Sequence, residues 1–140
     1  MSEKTLCIIK PRAVKKGLTG KIIDNIIENK FKILAIKKTL IQKSTAEKFY
    51  AIHKDKFFYN DLIEFMTSGP CVIIVLEKVN AVENFRKIIG DTDSAKAKEN
   101  TIRNKFGLNN RANAVHGSDS EKNFKKEFAF FFTNDDIIEV

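Results

Sequence analysis

An α+β sandwich, a single sheet with helices laid on one face, is the fold class this chain predicts, on three observations. Strand-like and helix-like stretches follow in the order strand, helix, strand, helices, strand, helix, strand, helix, which gives two βαβ-like halves. The most apolar run, Cys71 to Leu76, is short and lies between Gly69-Pro70 and Glu77-Lys78, so it reads as a central strand buried on both faces. Composition is globular: of 140 residues, 43% are hydrophobic and 31% charged. A chain of this size buries roughly two-thirds of its unfolded surface without a staple, so one domain is expected over residues 1–140, with no linker or repeat.

The elements follow in order. Thr5 to Ile9 is a short buried strand, stopped by Pro11. From Gly20 to Lys30, Ile22, Ile23, Ile26 and Ile27 recur at helical spacing against Asp24, Asn25, Glu28 and Asn29, which makes an amphipathic helix. Ile33 to Ile41, rich in β-branched and apolar residues and free of Gly and Pro, is a second strand. Ser44-Thr45-Ala46-Glu47 has capping-box spacing and opens a helix through Ala46, Phe49, Tyr50 and Ile52. Another short helix runs from Asn60 through Leu62, Ile63, Phe65 and Met66 until Ser68-Gly69-Pro70 ends it.

After the Cys71 strand, Asn80 to Glu83 repeats the capping-box spacing ahead of Val82, Phe85, Ile88 and Ile89, and Gly90 terminates that helix. Asp91 to Arg111 is polar and irregular, apart from a helical candidate over Thr101 to Phe106. Long irregular stretches in compact domains tend to be functional, so this one is expected to border the site. Asn113 to His116 is a last short strand, and the helix after it carries Phe124, Phe128, Phe131 and Phe132, the aromatic core of a chain with 12 Phe and no Trp. The sum is a ferredoxin-like sandwich: a four-stranded antiparallel sheet (βαββαβ) with helices on one face plus extra helices.

Charge and cysteine usage bound the partners. A net charge of +7 favours anions such as nucleotides, nucleic acid or an anionic membrane, although the 25 Lys and Arg are scattered as solvated surface charge is. Cys7 and Cys71 lie in apolar runs as small hydrophobes, with no disulfide framework or metal knuckle. The N-terminal apolar run is short, follows Glu3 and ends at Lys10-Pro11, so no signal peptide is expected. No run approaches the ~20 residues of a membrane span. The expectation is a soluble, cytoplasmic protein.

Chemistry points to Asn113-Ala114-Val115-His116-Gly117-Ser118-Asp119-Ser120, which sets one of two histidines where a strand meets a polar helix start. A neutral imidazole carries a free lone pair, Gly117 admits close approach, and Ser118, Asp119 and Ser120 are residue types that cap an anion-attracting helix end. On these residues by themselves, an ordinary histidine in a Ser-rich turn fits equally well. GxxxxGK[ST], GxGxxG, HRD and DFG are all absent, so a nucleotide would have to be held by side chains; Lys10, Arg86, Thr92 and Arg103 are the candidates. A second reading is a basic nucleic-acid-binding module that uses Gly17-Leu18-Thr19-Gly20 with Lys15, Lys16 and Lys21 as a backbone clamp. Such a loop should join two helices, and here it follows a strand and Pro11. A metal site on His53 and His116 lacks ligand spacing.

The His116 stretch resembles the active-site signature of nucleoside diphosphate kinases, and Ile9-Lys10-Pro11 is similar to the end of that family's first strand. The likeness extends through Phe49-Tyr50, Phe58, Ser68-Gly69-Pro70, Arg86, Gly90, Thr92, Thr101-Ile102-Arg103 and Glu127, at consistent spacing over essentially the whole chain. The resemblance implies ping-pong transfer of the γ-phosphate of ATP or another nucleoside triphosphate to a nucleoside diphosphate through a phosphohistidine at His116. It implies that Lys10, Arg86, Thr92 and Arg103 hold the phosphates, with Tyr50 at the phosphate end. Phe58 would stack on the base, Asn113 with Lys10 would contact the sugar hydroxyl, and Glu127 would orient the imidazole. Magnesium would ride on the phosphates near Asp119. Stacking reads a π face and not an edge, so broad base specificity follows. The family also implies a homo-oligomer, hexamer or tetramer. From the residues themselves no membrane role is expected, and nucleic acid would be bound only weakly, as a secondary property. Four departures from the family pattern stand out: Arg12 where an acidic residue is common, Phe57 and Ser94 where proline is, and Glu99-Asn100 where Pro-Gly is frequent.

Overall fold

The computed structural model describes residues 2–140. Strands β1 (Ser2–Ile9), β2 (Lys32–Thr39), β3 (Cys71–Val79) and β4 (Val115–Gly117) form one antiparallel sheet in the order β2-β3-β1-β4. Helices α1 (Pro11–Lys15), α2 (Thr19–Glu28), α3 (Lys43–Phe49), α4 (Tyr59–Met66), α5 (Ala81–Ile89), α6 (Ile102–Phe106) and α7 (Glu121–Phe131) connect and cover it. With α2 and α5 as its crossovers, this is the ferredoxin-like arrangement, and α3, α4 and α7 are the extra helices.

Strand alternation explains why the central strands read as continuous apolar runs. Leu6 and Ile8 of β1, opposite Val75 and Ile73 of β3, bury against Ala46 of α3, Leu62 and Met66 of α4, and Phe124 and Phe131 of α7. Cys7 and Ile9, opposite Ile74 and Val72, bury against Ile22 and Ile26 of α2 and Phe85 and Ile89 of α5. Both faces of the sheet are therefore covered: the crossover helices take one, and the extra helices take the other.

The helix expected through Ile52 ends at Phe49, the strand expected from Asn113 begins at Val115, and three expectations at helix starts also differ from what is observed. Ser44 does not cap α3; the helix starts at Lys43 after an extended Gln42 that makes no side-chain cap. Burial of Ile41 fixes where the chain leaves β2, and the helix begins before Ser44 is reached. Asn80 does not cap α5 through its side chain either. It takes a left-handed conformation, φ 52, in the tight β3–α5 turn, and Glu3 from β1 accepts the Val82 N–H at 2.9 Å.

The third difference is α1, which Pro11 opens where it was expected only to end β1. The Gly17–Gly20 segment thus does join two helices. Its glycine serves the backbone: Gly17, φ 74, ends α1 with Gly17 N–H to Val14 O at 3.0 Å and Leu18 N–H to Ala13 O at 3.0 Å, the paired bonds of a Schellman cap.

Candidate active site

The β1–β4 ladder builds the site. Ile8 pairs with His116, so the imidazole shares the face of Ile8, toward α3 and α7. Lys10, the first residue past β1, donates its backbone N–H to Ala114 O at 2.9 Å, which extends the junction beyond the ladder. Ala114 has φ 75, a left-handed conformation that costs a Cβ-bearing residue strain and persists only where its surroundings enforce it. Gly117 closes the strand against Phe85, where an added Cβ would come within 2.9 Å of the ring.

His116 is held on two sides. Phe49 of α3 meets its ring edge-on, with centroids 5.3 Å apart, and Glu127 of α7 lies 3.0 Å from Nε2 through Oε2. The other oxygen of Glu127 accepts from Ser118 Oγ at 2.6 Å, and that hydroxyl in turn accepts the Leu6 N–H at 3.1 Å. An ionised carboxylate only accepts hydrogen bonds, so this chain selects the tautomer with the proton on Nε2 and leaves the lone pair on Nδ1. Among the described residues nothing bonds Nδ1, and the His116 side chain keeps 20% of its surface open to solvent.

Cations crowd the same junction. Arg103 of α6 is 9% exposed; its Nη1 donates to Gly90 O and its Nη2 to Val115 O, each at 3.0 Å, tying the end of α5 to β4. Burial, then repulsion from Arg86, draws its pKa down to about 10. Lys10 is 7% exposed and donates to Asn113 Oδ1 at 2.7 Å and Arg111 O at 3.3 Å; burial, then Arg103, lowers its pKa to about 7. Asn113 also donates to Thr92 O and Asn110 O, each at 2.9 Å, which draws the loop after α5 inward. Of the four buried side-chain donors that lack a partner among the described residues, Arg103 Nε and Tyr50 Oη belong to the expected site, and burial pushes the Tyr50 phenol upward. Unpaired buried donors and unpaired cations are costly unless an anion meets them.

The expected site residues sort into two zones. His116, Glu127, Lys10, Arg103, Asn113 and Tyr50 converge around β4, with Arg86 and Thr92 exposed at its rim. Phe58 stands apart at the start of α4, 36% exposed, with the His53 ring 5.5 Å away. Asp119 is exposed on the turn after His116, with Asn123 donating to one of its oxygens.

A family model described as nucleoside diphosphate kinase matches residues 3–137. The chain belongs to the nucleoside diphosphate kinase family. A nucleoside diphosphate kinase of Campylobacter hominis is 53% identical over 135 residues, 96% of this chain and 98% of that one. One of Chlorobaculum parvum is 49% identical over 138 residues, 99% of each. Among solved structures, the Aquifex aeolicus nucleoside diphosphate kinase superposes with a TM-score of 0.95 at 41% identity, covering 99% of this chain and 100% of that chain. The halophilic Halobacterium salinarum nucleoside diphosphate kinase, solved in complex with CDP, gives 0.95 at 34% identity, covering 100% and 93%. This protein is thus a phosphotransferase of nucleotide metabolism, a nucleoside diphosphate kinase.

Its departures from the family pattern have visible consequences. Arg12 donates to Phe106 O at 3.2 Å and so braces the C-terminal end of α6, the helix of Arg103. Ser94 is buried against Gly107, where an added Cβ would lie 1.9 Å from the Ser94 Oγ. Phe57 projects into solvent beside Phe58. Two residues of the site carried no sequence signal for the roles they take. Ser118 suggested a helix cap, yet Ser120 caps α7 by accepting the Asn123 N–H at 3.0 Å, and Ser118 links Glu127 to β1. Arg111 looked like one scattered charge among many.

Gly90 supplies a stability test. Its φ of 89 with ψ −170 is glycine territory, and a Cβ there would fall 2.6 Å from Thr101 Oγ1. Gly90→Ala is expected to lower unfolding free energy by about 2 kcal/mol, read from the urea midpoint. An unchanged midpoint would show that this backbone is not strained.

Proposed function

We propose that His116 carries the phosphoryl group in a two-step exchange. In the first step the Nδ1 lone pair forms an N–P bond to the γ-phosphorus of a nucleoside triphosphate as the bond to the bridging oxygen breaks; the diphosphate leaves with that electron pair. In the second, a terminal oxygen of another nucleoside diphosphate attacks the phosphorus and the imidazole departs. One site serves both halves, as ping-pong exchange requires. The observation that carries this reading is Nε2 pinned by Glu127 while Nδ1 has no hydrogen-bond partner among the described residues, on a short strand whose Val115 carbonyl Arg103 grips and whose approach, at Asn113, Lys10 holds.

By their resemblance to the family's residues, Lys10, Arg86, Thr92 and Arg103 hold the phosphates and Tyr50 completes the phosphate end. Asn113 with Lys10 meets the sugar hydroxyl. Phosphoryl transfer asks chiefly for positioning and for cations matched to charge spread over the moving oxygens; a guanidinium fork does both. Phe58 receives the base on its open face, so nucleotides of every base are substrates.

Magnesium fits as a passenger on the nucleotide. Among the described residues no group of three or more His, Cys, Asp or Glu converges into a cage, while Asp119 offers a carboxylate at the rim that can reach the ion through water. Held there, a magnesium ion would supply positive charge against the phosphates during transfer. One domain spans 1–140, and no helix among the described residues is long and apolar enough to cross a membrane. A cytoplasmic homo-oligomer of four or six subunits completes the proposal. Its test is incubation with γ-labelled ATP and magnesium, which should leave an acid-labile, alkali-stable phosphate on His116.

Lys10 gives the proposal a pH signature. With its folded pKa lowered to about 7 from an ordinary 10.5, the group is charged in both states below pH 7, so its burial penalty is full there. As pH rises from about 7 to about 10.5 only the unfolded chain keeps the proton, and this group's contribution to stability increases. A polyphosphate beside the ammonium reverses the shift. At pH 8, nucleotide binding should take up close to one proton, measured by calorimetry in buffers of different ionisation enthalpy. The same uptake in Lys10→Met would assign the proton elsewhere.

A further inference from the structure

Arg111 joins the Asn109–Asn113 turn to α4, and none of the assigned roles uses its side chain. Its backbone belongs to the site. The carbonyl accepts from Lys10 Nζ at 3.3 Å, and Asn109 Oδ1 accepts the N–H groups of Arg111 and Ala112 at 3.1 and 2.9 Å. Leu108 N–H to Ala112 O at 2.7 Å closes the turn. The turn that leads to Asn113 is therefore a fixed object. Its side chain points the other way, to α4: Nη1 lies 3.7 Å from Asp61 Oδ2, and the guanidinium carbon sits 5.9 Å from the centroid of the Phe65 ring. Phe58, Asp61 and Phe65 stand at i, i+3 and i+7, one side of α4. Arg111 thus crosses from the phosphate end to the helix side that offers Phe58.

We infer that Arg111 is a positioning residue for the nucleoside: with Asp61 and Phe65 it straps the Asn109–Asn113 turn to α4 and sets the opening into which the base slides. The inference rests on the base stacking at Phe58. Both partners are about half exposed or more, at 49% and 68%, so the strap is weak, salt-sensitive and able to open for exchange. The cation–π contact keeps the guanidinium over the helix when the ion pair parts. A strap of this kind governs how well any nucleotide is held, irrespective of its base, and leaves the chemistry at His116 untouched.

The experiment measures KM and kcat for the four nucleoside triphosphates with the intact enzyme, its Arg111→Ala, Asp61→Ala and Arg111→Lys variants, and the Asp61→Arg/Arg111→Asp exchange. Each alanine variant should raise KM about two- to fivefold for all four bases alike, with less effect at high salt. The values of kcat should stay within about twofold, a loss of binding without loss of transition-state stabilisation. Arg111→Lys and the charge exchange should recover most of the loss. Unmoved KM values, an exchange no better than either single change, or an increase confined to guanine nucleotides would each overturn the strap; the last would mean that Arg111 reads a base edge. Labelling of His116 at saturating ATP separates the two readings. An unlabelled wild type defeats the phosphohistidine, whereas normal labelling with unmoved KM defeats only the strap.

Discussion

His116→Ala is expected to remove phosphoenzyme formation and to lower γ-phosphate exchange by at least about 10⁴-fold, the scale at which deleting a nucleophile leaves only binding and electrostatic help. The fold should hardly notice. The ring is partly open, its one hydrogen bond among the described residues is to Glu127, and Ser118 continues to satisfy the other carboxylate oxygen. Truncation leaves space beside Phe49 that solvent can reach. The measurement is acid-labile label on the protein after mixing with γ-labelled ATP, alongside a thermal melt to show that the variant is folded. Equal label on wild type and variant would mean that another residue carries the phosphate. Glu127→Gln sharpens the result: an amide can present a donor to Nε2, so the ring loses its enforced tautomer while keeping its place, and labelling should slow without disappearing.

Arg103→Ala should lower the rate of phosphoryl transfer by about 10² to 10³-fold, the usual cost of removing a preorganised donor from developing charge. Its effect on stability should be much smaller, because two contributions oppose. Truncation deletes charge-assisted bonds to Gly90 O and Val115 O, and it also deletes a buried cation repelled by Arg86 with an unpartnered Nε. The net change in unfolding free energy should be under about 2 kcal/mol. Arg103→Lys separates charge from geometry: a point ammonium cannot reach both carbonyls and a phosphate at once, so most of the rate loss should persist. Single-turnover labelling reads the rate and urea unfolding reads the stability. Wild-type turnover in Arg103→Ala would exclude Arg103 from the phosphate end.

The two effects share one structural cause. β4 is only three residues long, yet it holds His116 against Ile8 and offers the Val115 carbonyl to Arg103. A short edge strand of this kind has few ladder bonds of its own and is positioned by what packs on it, here α5 beneath Gly117 and Glu127 from α7. Arg12 bracing the end of α6 belongs to the same scaffold.

Much of this was legible before any coordinates. Period-two and period-3.6 patterns located the strands and the larger helices, because burial on one or both faces imposes those periods on any chain. The order of elements predicted the ferredoxin-like class, and the resemblance of the His116 stretch and of Ile9-Lys10-Pro11 to nucleoside diphosphate kinases pointed to the family, whereas the basic residues taken singly read as surface charge. Capping boxes were less informative. Ser44 and Asn80 had the right neighbours, but the exit of β2 and the turn after β3 chose where each helix began.

Tertiary structure decided what spacing cannot encode. Which ring nitrogen of His116 stays open depends on a carboxylate eleven residues on and a hydroxyl that reaches back to β1. That Arg111 and Asp61 face each other depends on the fold returning the chain to α4 after a long loop. Sequence determines these local preferences because they act over a few residues and repeat. A hydrogen bond, an ion pair or a lowered lysine pKa needs two groups brought together from distant parts of the chain, and only the packed sheet with its two layers of helices brings them there.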